Sequence, residues 1–203
     1  MRNKICGVGF NSYGGYIAKP SNEKVSKSYS CWRNMIKRCY DPYVINKNPT
    51  YKDCYVCDEW HDYQVFADWF SKNHPNDGCD YHLDKDLKSI GNKTYSPETC
   101  LMVSRVVNNF TTDSKSARGN YPIGVYLQKD CNRIKAQCKN PFTGNRGYLG
   151  LFDSSHEAHM AWREKKYEHT INLANQQSSE DVKQALLNWA QALKEFRVHP
   201  IER

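Results

Sequence analysis

The stretch Arg133-Ile-Lys-Ala-Gln-Cys-Lys139 decides the fold of the carboxy-terminal half of this 203-residue chain. Long polar side chains stand at every second position, with Ile134, Ala136 and Cys138 between them. Because successive side chains of a strand point to opposite faces, this alternation predicts a strand with one cationic face and one face that can pack. Cys138 falls on the inward side, which predicts a buried thiol.

The neighbouring segments predict two further strands and a helix. Tyr121-Pro-Ile-Gly-Val-Tyr126 precedes the central strand, and Tyr148-Leu-Gly-Leu-Phe-Asp153 follows it after the turn residues of Asn140-Pro-Phe-Thr-Gly-Asn145. Asp153-Ser-Ser-His-Glu157 provides a helix start. Residues at helical spacing follow: Ala158, Ala161, Trp162 and Lys165. We therefore predict a three-stranded antiparallel sheet packed on a helix.

The predicted sheet is basic. Five Lys or Arg residues lie between Tyr121 and Phe152, against one acid, Asp130. The formal charge of the whole chain, +7, agrees with a nucleic-acid partner but is too common a value to decide the matter. The local asymmetry points to a polyanion, and the alternative is a basic, solvated hairpin without a ligand.

The same residues resemble a known family. The order of Gly124-Val125, Tyr148-Leu149-Gly150, Phe152-Asp153 and Glu157-Ala158 is similar to the plant-type apetala/ethylene-response-factor DNA-binding domain, over roughly residues 121–173. In that family the sheet enters the major groove, so the resemblance implies double-stranded DNA as the partner. The implied DNA-facing residues are Tyr126, Gln128, Lys129, Arg133, Lys135, Gln137, Arg146 and Tyr148.

Two departures from the plant pattern limit what can be carried over. Tyr126 stands where that family usually has Arg after Gly-Val, and Arg133 stands where an aromatic residue precedes the second strand. Base preference therefore does not transfer. For Tyr148, packing into the core is an equally open interpretation.

Two structural helices are predicted in the amino-terminal half. Apolar residues follow helical spacing from Ser30 until the chain reaches Asp41-Pro42: Trp32, Met35, Ile36 and Cys39. Asp62 begins a second helix that His74-Pro75 ends, with these residues towards the core: Tyr63, Phe66, Trp69 and Phe70.

A charged segment follows these helices. Tyr81-His-Leu-Asp-Lys-Asp-Leu87 alternates as a strand, and Gly91-Asn92-Lys93 supplies a turn. Tyr95-Ser-Pro-Glu-Thr-Cys100 then offers Ser96 as the cap of a helix with Pro97 at its first position. Strand, turn and capped helix together have the outline of a ββα metal finger.

Residues 29–110 resemble phage proteins of the HNH endonuclease group. The motifs that carry the resemblance are Trp32-x-x-Met35-x-x-Arg38-Cys39-Tyr40, Cys57-Asp-Glu-Trp60, Leu83-Asp-Lys-Asp86, Gly91-Asn92-Lys93 and Tyr95-Ser-Pro-Glu-Thr-Cys100. The resemblance implies an HNH-type DNA endonuclease, with homing as one such role, that cleaves double-stranded DNA with Mg²⁺ or another divalent metal.

The implied catalytic set is His82, Asp84, Lys85 and Asp86, and the implied metal ligands are Asp84, Asp86 and Asn92. Lys85 and Thr99 stand where the usual pattern has His and Asn, so His82 would have to serve as the base. Two alternatives stay open: a degenerate finger that keeps the shape while its charges contact DNA or each other, and an ordinary charged strand end. The second functional hypothesis is accordingly a catalytically inactive, sequence-specific DNA-binding or regulatory protein.

Nine cysteines in a chain without a signal-like start predict free thiols rather than disulfides. Cys54-Tyr-Val-Cys57 has the two-residue gap of a zinc half-site, and Cys79 with Cys100 could complete a Zn²⁺ site. Buried free thiols are the alternative.

We expect an α+β chain in four parts: an HNH-like region at 1–112, a linker at 113–120, the apetala-type domain at 121–174 and a carboxy-terminal helix within 175–203. That helix has one apolar face, formed by Val182, Ala185, Leu186, Trp189 and Leu193, for packing on the preceding helix or for a dimer or other protein partner. The absence of any apolar run of about 18 residues predicts a soluble, cytoplasmic protein without a membrane partner, in the host cytoplasm if phage-encoded.

Overall fold

The computed structural model describes residues 4–20, 24–112 and 120–199, a mixed α+β chain that divides into two compact units, 1–103 and 104–203. Residues 113–119 of the expected linker lie outside the described residues. The described helices are α1 (Lys27–Tyr40), α2 (Pro42–Lys47), α3 (Tyr63–Asn73), α4 (Arg105–Thr111), α5 (Ser155–Asn175) and α6 (Glu180–Lys194). The described strands are β1 (Tyr55–Val56), β2 (Tyr81–Asp84), β3 (Thr94–Tyr95), β4 (Leu101–Ser104), β5 (Val125–Gln128), β6 (Arg133–Lys139) and β7 (Arg146–Phe152).

The core of the first unit lies between α1 and α3, as the helical spacing predicts. The apolar face of α1 is buried, and the indole nitrogen of Trp32 donates to the carbonyl of Trp60 at 2.7 Å. The Asp62 side chain accepts from the Gln64 N–H and caps α3. Trp69 is only partly buried, at the edge of this core. The apolar spacing did not predict α2. Its start is nevertheless marked by Asp41, which caps the helix, and by Pro42, a residue favoured in the first turn.

Two predictions for the charged segment are wrong. The strand that begins at Tyr81 ends at Asp84 instead of continuing to Leu87, and Ser96 caps no helix. The Thr99 hydroxyl donates to the carbonyl of Thr94 at 2.8 Å and accepts from the Ser96 N–H at 3.1 Å, so this segment closes as a turn. The chain then enters β4, which pairs with β2, and the next helix is α4.

The short strand β3 lies before that turn. It pairs in parallel with β1, with Tyr55 opposite Thr94 and Val56 opposite Tyr95. The two ladders, β1 with β3 and β2 with β4, therefore hold the charged segment beside the first-unit core, to which Leu83 and Tyr95 contribute buried side chains.

The predicted sheet and helix of the second unit are confirmed. The antiparallel sheet has the order β5-β6-β7, and α5 packs on its inner face around Val125, Ala136 and Ala158. Gly124 has a φ of +80°, and a Cβ there would lie 2.0 Å from the Trp162 ring, so only glycine allows the indole to close over this strand end.

The carboxy-terminal helix packs on its predecessor, which confirms the predicted amphipathic face. α6 contacts α5 along its length, and the apolar face of α6 is buried. Lys166 on α5 is itself buried and donates to the carbonyl of Phe110 at 2.5 Å, which ties α4 to the same unit. Among the described residues, none of the helices combines the length and the apolar composition needed to cross a bilayer.

Candidate nucleic-acid interface

The outer face of the β5-β6-β7 sheet carries most of the residues that the sequence predicts to face DNA. Cross-strand partners place Tyr126 opposite Lys135, Gln128 opposite Arg133, Gln137 opposite Tyr148, and Lys139 opposite Arg146. All eight are half-buried or exposed, whereas the alternate positions Val125, Ala136 and Cys138 are buried. We name these eight residues the basic face.

A β-bulge brings the third strand into this arrangement. Ala136 pairs with Gly150 and Gln137 pairs with Tyr148, so β7 carries Leu149 as an additional residue. Leu149 packs against the inner core. Because one extra residue reverses the parity of a strand, Tyr148 points outward and is 60% exposed. The alternative that Tyr148 packs into the core is therefore wrong.

Two cations on the basic face lie against tyrosine rings. The guanidinium carbon of Arg146 lies 5.8 Å from the ring centroid of Tyr126, and Nη1 of Arg146 donates to the Tyr126 hydroxyl at 3.0 Å. The ammonium of Lys135 lies 5.6 Å from the ring centroid of Tyr148. These contacts orient both charges while leaving Arg146 and Tyr148 exposed.

Arg133 differs from the other cations on the face. Its Nη2 lies 3.0 Å from a carboxylate oxygen of Asp153 and donates to the carbonyl of Leu151 at 3.3 Å. Both side chains are substantially exposed, 45% for Arg133 and 87% for Asp153, so water screens the pair. No local sequence pattern predicts this partner, which lies beyond the end of the neighbouring strand.

The turn between β5 and β6 lies at the edge of the basic face. Lys129 is exposed in the turn between β5 and β6, and Gln128 donates to Asp130 in that turn at 3.2 Å. Lys139, opposite Arg146, belongs to the basic face although the family resemblance did not include it. The alternation of the central strand was the signal that identified Lys139 as outward-facing.

The predicted catalytic segment of the first unit forms a hydrogen-bonded loop. One carboxylate oxygen of Asp84 accepts from the N–H groups of Asp86 and Leu87, at 2.9 and 2.7 Å. Burial raises the pKa of Asp84 above its ordinary value. Lys85 is buried and donates to Asp86 at 2.6 Å and to the carbonyl of Asn92 at 2.7 Å.

The side chain of Asn92, an implied ligand of the divalent metal, bonds to the backbone of this loop. The side-chain carbonyl of Asn92 accepts from the Thr94 N–H at 3.0 Å, and its amide donates to the carbonyls of Lys85 and Thr94. Since Asp84 lies at the end of a strand and Asp86 lies in the loop, the two carboxylates are not aligned by strand parity. Within residues 4–20, 24–112 and 120–199, no group of three or more His, Cys, Asp or Glu is arranged to hold a metal ion. The Asn92 side chain is thus engaged by backbone groups, and a divalent ion held by Asp84 and Asp86 stays a prediction from the sequence.

His82 lies in a different setting from the other predicted catalytic residues. It lines a cleft of about 350 Å³ together with Cys31, Arg38, His74 and Asp80 among others. Nε2 of His82 is buried and finds no hydrogen-bond partner among the residues that the structure describes. It lies 3.6 Å from a carboxylate oxygen of Asp80, an attraction that operates only when the imidazole is protonated. Neither Asp84 nor Asp86 lines this cleft.

The cysteines are free thiols. Cys54 and Cys100 are buried, Cys57 is half-buried and Cys79 is exposed. In the metal-free chain, burial raises the pKa of Cys57 to about 11 and that of Cys100 to about 12, so both are neutral thiols there. The described part of the chain does not bring the four thiols together as a metal-binding group. Cys138 is buried, as its parity predicts.

No family model, curated protein or solved structure matches this chain, so comparison with known proteins does not place it in a family.

Proposed function

We propose that this protein binds double-stranded DNA through the basic face of its three-stranded sheet. One observation carries the proposal: Lys135, Lys139 and Arg146 stand on the same solvent-facing side of the sheet, which α5 covers only from behind. Such a surface supplies the phosphate neutralisation that dominates the affinity for DNA.

The dimensions of the sheet agree with a duplex groove. Three strands at about 4.8 Å spacing measure roughly 10 Å across their axes, and a major groove is about 12 Å wide. Lys135 and Lys139 stand four residues apart on β6, or about 13 Å along the strand. Cations at this separation can reach phosphates on both sides of a groove while the residues between them face base edges.

The polar and aromatic members of the face supply base contacts. Gln137 can donate to and accept from a base edge, and exposed Tyr148 can contact a thymine methyl group. Arg146 is held by Tyr126 in a fixed orientation, which reduces the side-chain entropy lost on binding. Phosphate contacts would set the register, and these three residues would set the sequence preference.

The experiment is fluorescence anisotropy with a labelled 20-base-pair duplex. The double variant Lys135→Gln/Arg146→Gln should bind at least tenfold more weakly at low salt. The matched control is Lys165→Gln/Lys183→Gln, which removes the same charge from helix positions that pair with Glu168 and Glu180. Equal losses of affinity in the two double variants would show that only the net charge matters, and this result would refute the proposal.

Endonuclease activity remains a prediction from the sequence. The loop around Asp84 and Asp86 uses its polar groups to close on itself, and His82 lines a separate cleft, so we derive no cleavage step from these residues. The DNA-binding proposal does not depend on cleavage.

A further inference from the structure

A groove between the two long helices of the second unit contains a buried cation with an unused donor. The groove has a volume of about 540 Å³ and lies between α5 and the end of α6. Its lining is mainly apolar and includes Met160, Tyr167, Leu193 and Phe196. A volume of this size is typical of small-molecule sites.

Arg163 forms one wall of this groove and is only 5% exposed. Its Nη1 donates to the carbonyls of Val198 and His199, at 3.1 and 2.6 Å. Its Nη2 is buried and has no hydrogen-bond partner within the described part of the chain. No carboxylate among the described residues pairs with Arg163.

Burial of the Nη2 donor of Arg163 costs free energy unless a ligand supplies an acceptor. Desolvation by burial lowers the pKa of Arg163, although a guanidinium stays charged at neutral pH. A buried donor without an acceptor costs about 1–3 kcal/mol, and more when it is charged. An anion that enters the groove and accepts from Nη2 would therefore offset this cost in free energy.

Phe196 is positioned as the cover of the guanidinium. Its ring centroid lies 4.1 Å from the guanidinium carbon of Arg163, and the side chain is 42% exposed. Its backbone adopts a left-handed φ of 57° just beyond α6, a strained conformation for an aromatic residue. A ligand that reaches the guanidinium from this side would have to displace the Phe196 ring.

We propose that the groove binds a small carboxylic acid with an apolar body. The carboxylate would accept from Nη2 of Arg163, and the apolar body would lie along Met160, Leu193 and Phe196. Lys194, whose ammonium lies 4.1 Å from the Tyr167 ring centroid, adds a second cation to the lining, which contains one acid, Glu164. Two cations against one acid favour an anion over a neutral ligand.

The test is calorimetric titration of the full chain with octanoate and with octanol, which share an apolar body and differ in charge. Octanoate should bind about tenfold to a hundredfold more tightly than octanol, the fold-change expected for a charge-assisted hydrogen bond. Equal affinity for the two probes, or no binding of octanoate, would overturn the proposal.

Three variants localise the binding. Arg163→Met should reduce octanoate affinity to the octanol level, and Ala161→Phe, which fills the half-buried groove wall without touching the guanidinium contacts, should abolish binding of both probes. Lys183→Met removes an α6 cation that does not line the groove and should change neither affinity. Arg163→Met also loses two hydrogen bonds to backbone carbonyls. If Arg163→Met fails to fold, the result for Ala161→Phe tests the location of the site instead. Undiminished octanoate binding by folded Ala161→Phe would exclude the groove.

Discussion

The cations of the basic face should differ in how they contribute to the salt dependence of DNA binding. Each phosphate contact adds about 0.9 to the slope of log K against log salt concentration. Among the described residues, Lys135 contacts the Tyr148 ring and has no carboxylate partner, whereas Arg133 is already 3.0 Å from the Asp153 carboxylate. Lys135→Gln should therefore lower the slope by about 0.9, and Arg133→Gln should lower it by less than half of that.

The predicted effect is large enough to measure. Between about 50 and 200 mM salt, a slope difference of 0.9 changes the ratio of two affinities about 3.5-fold. Anisotropy titrations at four salt concentrations resolve such a change. Asp153→Asn supplies the opposite perturbation: freed from its carboxylate partner, Arg133 becomes available to phosphate and the slope should rise. An unchanged slope in Lys135→Gln, together with a full loss in Arg133→Gln, would show that the assignment of roles on this face is wrong.

Three further outcomes follow from contacts in the two units. Gly124→Ala should destabilise the chain by roughly 3 kcal/mol in urea denaturation, because the new Cβ would collide with Trp162 at a left-handed φ; a loss below about 1 kcal/mol would contradict this packing. Burial lowers the pKa of His74 below its ordinary value, so its neutral form contributes stability above about pH 6.5 that is lost as pH falls through the lowered pKa. His74→Gln should accordingly flatten the fall in urea midpoint between about pH 7.5 and about pH 5, and an unaltered pH profile would remove His74 from the acid response. The endonuclease hypothesis predicts Mg²⁺-dependent plasmid nicking that Asp84→Asn/Asp86→Asn abolishes; nicking at the wild-type rate would rule out this loop as the source.

The sequence by itself determined the elements whose signals are local. Helical spacing and a capping side chain identified α3, and the same kinds of signal identified α5 and α6. Strict alternation identified β6, including the buried parity of Cys138 and the outward parity of Lys135. These features depend on periodicity and on residues within one turn of each other, which a single sequence displays directly.

The tertiary structure alone decided which side chains share a face or a partner. The bulge at Leu149 reverses the parity of β7 and brings Tyr148 and Arg146 onto the basic face, a result that pairing with β6 fixes and alternation within β7 does not show. Asp84 is the last residue of β2, and its carboxylate accepts from the N–H groups of Asp86 and Leu87, which lie beyond the strand and need another acceptor. Local chemistry thus specified the elements, whereas the pairing between distant segments specified the surface available to a ligand.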